Sequence, residues 1–113
     1  MSKKIQKVFQ APKGTRDILP EEQIYWDRLK KVLASLAEDY GFQKIETPIL
    51  EETELFTSSI GEATGLATMQ LFSFKTSGGT SLALRPNGTP GVCRAYLERG
   101  LAAEPQPLKF FYS

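Results

Sequence analysis

The residue types best suited to chemistry sit in one short run, Arg85-Pro86-Asn87-Gly88-Thr89-Pro90-Gly91, between an apolar strand-like stretch and a helix-like one. A helix that starts at such a joint presents backbone N–H groups with no intrahelical partner. Thr89 adds a hydroxyl and is expected to cap the helix, with Pro90 at its first position. Gly88 permits a backbone to come close to a ligand. Arg85 could brace the turn or face an anion. Taken alone, the same residues also describe an ordinary capped strand-to-helix turn with a structural threonine.

Composition narrows what else the chain could do. It has 113 residues, one cysteine (Cys93) and no histidine, with a net charge of +1. A single cysteine excludes an internal disulfide, and without histidine no zinc cluster is expected. Neither a Ser–His nor a Cys–His nucleophile pair can be built. Chemistry must therefore rest on charge, backbone amides and positioned hydroxyls, and Cys93 is expected to be a small buried residue. The near-zero charge gives no overall electrostatic case for nucleic acid or a membrane surface. No apolar run approaches the roughly 18 residues of a membrane span, and "MSKKIQKVFQ" has no hydrophobic block behind its lysines, so a cytoplasmic location is expected.

The length suits one small domain. Residues 1–12 read as a flexible arm. A helix should begin at Pro20, with Glu21 and Glu22 in its first turn, where the helix dipole favours negative charge. Ile24, Leu29, Val32, Leu33, Leu36 and Tyr40 give it an apolar face, and Gly41 lies just past its end. "FQKIETPIL" (42–50) holds Pro48, which cannot donate to a sheet ladder, so an edge strand or extended arm is expected. A short helix should follow and end near Gly61. "MQLFSFKT" and "TSLALRP" flank "SGG" and predict a β-hairpin. Thr89 to Gly100 predicts the second long helix, and "PLKFFYS" another strand. With Phe110, Phe111 and Tyr112 at its end, the chain is expected to be a piece of something longer. Arg16 with Asp17, and Arg94 with Glu98, are expected ion pairs.

The runs "APKGTRDILPEE", "YGFQKIETPILEETELF", "IGEATG", "LFSFKTSGGTSLALRPNGTPGVCRAYLERG" and "PLKFFYS" follow one another in this order. Together they resemble the N-terminal part of the catalytic domain of the histidyl-tRNA synthetases, class II aminoacyl-tRNA synthetases, from about Gln10 to Ser113. The resemblance implies an α+β fold, an antiparallel sheet flanked by helices and here truncated, with residues 13–113 forming the N-terminal portion of the catalytic domain. Motif 1 would span about 20–52 and motif 2 would begin at about 108–113. A homodimer is implied, with Pro48 and Ile49 at its interface. Asn87, Gly88 and Thr89 would approach the α-amino group and backbone of L-histidine, and Arg85 and Glu62 would support that region. The complete enzyme would use ATP and Mg2+ to make histidyl-adenylate, then load its tRNA, with no membrane partner.

One departure stands out. The family usually has glutamate where this chain has Asn87. A carboxylate holds an ammonium through charge-assisted hydrogen bonds, whereas asparagine keeps the shape without the charge. Weaker histidine binding follows, unless Glu62 or another carboxylate compensates. The motif 2 arginine for the ATP α-phosphate, the histidine-specific loop, motif 3 and the anticodon-binding domain are not in the chain. No catalytic residue, metal site or complete ATP site is therefore expected in it, and alone it should be inactive. Two other readings fit the residues: a non-catalytic, synthetase-like regulatory subunit of ATP phosphoribosyltransferase, and a stand-alone dimerisation module.

Overall fold

The computed structural model describes residues 8–60 and 71–113. It divides into two compact units, residues 1–36 and 37–113. The first carries most of α1 (Pro20–Asp39). Glu21 and Glu22 occupy the first turn, as the dipole favours. The expected pair between Arg16 and Asp17 is replaced: Arg16 Nη1 lies 2.9 Å from Glu22 Oε2. Adjacent side chains on an extended backbone point apart, whereas Glu22 on the first turn of α1 presents its carboxylate to the incoming chain. Leu29, Val32, Leu33 and Leu36 are all exposed.

The second unit opens with the end of α1. Gly41 takes φ +78 just beyond it, the left-handed conformation in which glycine avoids a Cβ clash. The stretch 42–50 does not form one strand. It splits around Pro48 into β1 (Gln43–Lys44) and the start of β2 (Leu50–Glu52). β1 pairs in parallel with β5 (Phe110–Phe111), Gln43 opposite Phe110. β2 runs antiparallel to β4 (Ser81–Leu84), which also pairs with β3 (Ser73–Lys75), giving the order β2-β4-β3. The three-stranded sheet is thus antiparallel as expected, while β1 and β5 form a parallel pair beside that expectation.

The hairpin closes where the sequence places it. The Thr76 N–H donates to the Thr80 carbonyl at 2.9 Å, and Gly79 takes φ +86 in the turn. α2 (Thr53–Ile60) follows β2, and α3 (Thr89–Glu98) follows β4. The Thr53 and Ser81 hydroxyls, 2.8 Å apart, tie the start of α2 to the start of β4. α2 packs on β4 and on α3. At this junction Phe56 of α2 and Ala83 of β4 are essentially inaccessible, 1% and 0% exposed. A small alanine on the central strand and a large ring on the helix packed against it are the size pairing that dense interiors favour.

Candidate functional site

The joint between β4 and α3 is held from below by Arg85. Its Nη1 donates to both the carbonyl and the Oγ1 of Thr47, each at 3.2 Å. Its backbone N–H donates to the Ile49 carbonyl at 3.0 Å. Arg85 therefore braces the turn against the segment around Pro48. Pro48 and Ile49 themselves are exposed, Ile49 with its carbonyl engaged and its side chain free of the core.

The helix begins one residue earlier than a threonine cap would require. Gly88 is the N-cap and Thr89 and Pro90 are the first two helical residues. Asn87 supplies the missing acceptor: its Oδ1 receives the Thr89 N–H at 3.2 Å. An Asx-type turn of this sort competes well with a capping hydroxyl because the short amide side chain reaches two residues forward without strain. That frees Thr89 Oγ1, which lies 2.9 Å from the Tyr112 hydroxyl on the β5 end. The Tyr112 ring also fills the space beside Gly88. A Cβ at Gly88 would lie 2.5 Å from the ring, so only glycine fits there. The close approach expected at Gly88 is thus made by the chain's own tyrosine, while Asn87 and Thr89 remain exposed.

One turn further along α3, Gly91 is buried against the β2 side. An added Cβ would lie 2.9 Å from Thr47 Oγ1 and 3.1 Å from Glu51 Oε1. Glu51, only 7% exposed, is engaged by Arg94 through two parallel bonds, Nε to Oε2 at 2.8 Å and Nη2 to Oε1 at 2.9 Å. Arg94 also pairs with Glu98, as its helical spacing predicts. The hydrogen bonds that Arg94 donates to Glu51 lead the causes that raise the Arg94 pKa above the usual arginine value. The sequence reading missed Glu51, since strand and helix are 43 positions apart and nothing local marks the pair. It missed Thr47, and the packing of Gly91 against Thr47 and Glu51, for the same reason. Cys93, expected to be buried, is exposed. Its position on α3 turns it toward an open, mostly apolar groove of ≈ 390 Å³ lined also by Tyr96, Leu108 and Phe110.

Chemically, the joint offers two hydroxyls and the Asn87 amide N–H2 group. Glu51 reaches the same helix turn, yet both its oxygens are committed to Arg94. An ammonium brought to the joint would meet hydroxyl acceptors, and Asn87 would turn donors toward it. Glu62, named from sequence as support for this region and as one carboxylate that could compensate, lies outside the described residues. Among the described residues no three His, Cys, Asp or Glu side chains come together as a protein-only metal site would need. None of their helices is long and apolar enough to cross a membrane.

Comparison with known proteins gives a consistent answer. A family model described as histidyl-tRNA synthetase matches residues 14–113. The histidine–tRNA ligase of Dehalococcoides mccartyi is 44% identical over 105 residues, covering 93% of this chain and 25% of that protein. The histidine–tRNA ligase of Acetivibrio thermocellus is 44% identical over 104 residues, 92% of this chain and 25% of its own. The crystal structure of apo S. aureus histidyl-tRNA synthetase matches with a TM-score of 0.79 at 36% identity, over 93% of this chain and 24% of that one. A structure described as an ATP phosphoribosyltransferase regulatory subunit/histidyl-tRNA synthetase from Bacillus halodurans C matches with a TM-score of 0.76 at 28% identity, over 94% and 27%. The chain spans about a quarter of the length of the curated relatives it matches.

Proposed function

The chain belongs to the histidyl-tRNA synthetase family, and on that footing we propose that the whole protein ligates L-histidine to tRNA, with the joint at Arg85–Thr89 receiving the amino end of the free amino acid. One observation carries this reading. Asn87 and Thr89 are exposed side by side at the start of α3, on a turn fixed from behind by Arg85 and Thr47. A site that must hold an amino acid in one orientation needs such a braced, accessible set of polar groups, because positioning supplies much of the rate in a reaction between bound partners.

In this reading a histidine carboxylate oxygen attacks the α-phosphorus of ATP and pyrophosphate leaves. A terminal tRNA hydroxyl then attacks the acyl carbon and AMP leaves. The described residues contribute the amino-group end of the pocket, and the chain by itself does not catalyse either step. Pro48, Ile49 and the apolar face of α1 (Leu29, Val32, Leu33, Leu36) are assigned to the contact between two copies in a homodimer, since a proline-bearing segment need not complete a ladder within its own chain. The protein would work in the cytoplasm.

A second reading rests on Asn87. With no carboxylate at that position, the protein could serve instead as a synthetase-like regulatory subunit of ATP phosphoribosyltransferase, one half of the description borne by the Bacillus halodurans structure. Histidine-dependent ATP–pyrophosphate exchange by the whole protein separates the two. Exchange that needs histidine supports the ligase; its absence, together with binding to the catalytic subunit of a phosphoribosyltransferase, supports the regulatory role.

A further inference from the structure

We infer that Tyr112 is a positioning residue for the amino-acid pocket, setting the direction of the Thr89 hydroxyl so that its lone pairs face an incoming ammonium. The inference rests on the reading of the joint as the amino-group site. Three observations lead to it. Tyr112 Oη and Thr89 Oγ1 are 2.9 Å apart, a good hydroxyl–hydroxyl hydrogen bond. The ring is seated beside Gly88 in space that no other residue type at position 88 would leave open. Asn87 Oδ1, the other acceptor at the joint, is already occupied by the Thr89 N–H.

The consequence follows from what a hydroxyl can do. It carries one hydrogen and two lone pairs, and the hydrogen rotates toward whichever acceptor is at hand. An ammonium has hydrogens only, so it needs Thr89 as an acceptor. Either hydroxyl can donate in this pair; with an ammonium at Oγ1, Thr89 donates to Tyr112 Oη, which holds its hydrogen away and leaves the Oγ1 lone pairs to the ligand. Without the tyrosine oxygen that hydrogen is free to turn toward the ammonium, where it repels. Tyr112 thus acts on the ligand through Thr89. It also couples the pocket to β5, so that pairing of Gln43 with Phe110 in the β1–β5 ladder fixes where the hydroxyl lies.

The test is a double-mutant cycle in the whole protein, with Thr89→Ala, Tyr112→Phe and the pair. Phenylalanine keeps the ring beside Gly88, so folding is retained and only the hydroxyl is lost. Binding of L-histidine and of 3-(imidazol-4-yl)propanoate, which lacks the amino group, is measured for each by calorimetry. The expected result is a roughly fivefold loss of histidine affinity in either single variant, little further loss in the double, and unchanged binding of the deamino compound. If Thr89→Ala weakens histidine but Tyr112→Phe does not, the positioning role is wrong and the amino-group site survives. Equal loss for both compounds in Tyr112→Phe makes the tyrosine a packing residue and overturns the inference. If neither variant affects histidine, the joint is not the amino-group site at all.

Discussion

Arg94 is held by two carboxylates of different character, and the difference sets what each is worth. Glu51 is buried and binds through two parallel bonds, whereas Glu98 is well exposed on the same helix. Removing one partner of a buried pair leaves a charge without compensation, so Arg94→Ala should cost about 3 kcal/mol in urea unfolding. Glu98→Gln should cost only about 0.5 kcal/mol or less, as exposed helical pairs do. The raised Arg94 pKa means that the guanidinium keeps its proton beyond the usual arginine range. On the alkaline side its stabilising contribution is lost only at extreme pH. Stability measured between pH 6 and 9 should therefore show no step from Arg94. Gly91→Ala is a sharper case. Alanine favours a helix by about 1 kcal/mol over glycine, yet its Cβ would meet Thr47 Oγ1 at 2.9 Å and Glu51 Oε1 at 3.1 Å. Overpacking of this kind costs about 1–3 kcal/mol, and the net result in unfolding experiments should be destabilisation.

Among the elements, those with local signals were legible. α1 runs from Pro20 to just before Gly41, and the hairpin turns at Gly78–Gly79, because proline, glycine and apolar periodicity act over a few residues. Position 89 shows the limit. Threonine and asparagine both suit a helix start, and the order of residues alone does not say which will accept the N–H. Tertiary contact decides it, since the Thr89 hydroxyl is drawn to Tyr112, 23 positions away. The same holds for the segment at 42–50, where Pro48 predicted an edge strand or extended arm but not two strands with different partners. Gly79 offers a check at this scale. At φ +86 it has open space around it, so Gly79→Ala should destabilise by about 1 kcal/mol through backbone strain alone. A hydrogen-exchange map should show the loss concentrated in β3 and β4.

For the molecule as a whole, the residues with the clearest chemistry were named from sequence, but their working surroundings were not. Arg85, Asn87 and Thr89 could be picked out as a joint. That Arg85 faces inward to Thr47, and that Asn87 spends its oxygen on the backbone, depends on packing. The proposed homodimer makes its own prediction. Ile49→Glu places a charge on the exposed side chain next to Pro48 and should weaken self-association of the whole protein by at least about tenfold in sedimentation, with its fold intact. An unchanged dimer would move the interface elsewhere.

The central claim, that residues 85–89 form the seat of the substrate's cationic end, is tested most directly by titrating L-histidine into the whole protein and its Asn87→Glu variant. A carboxylate at 87 adds a charge-assisted bond to the ammonium, and affinity should rise by about five- to tenfold with no gain for 3-(imidazol-4-yl)propanoate. Unchanged histidine affinity, or the same gain for both compounds, would contradict the account.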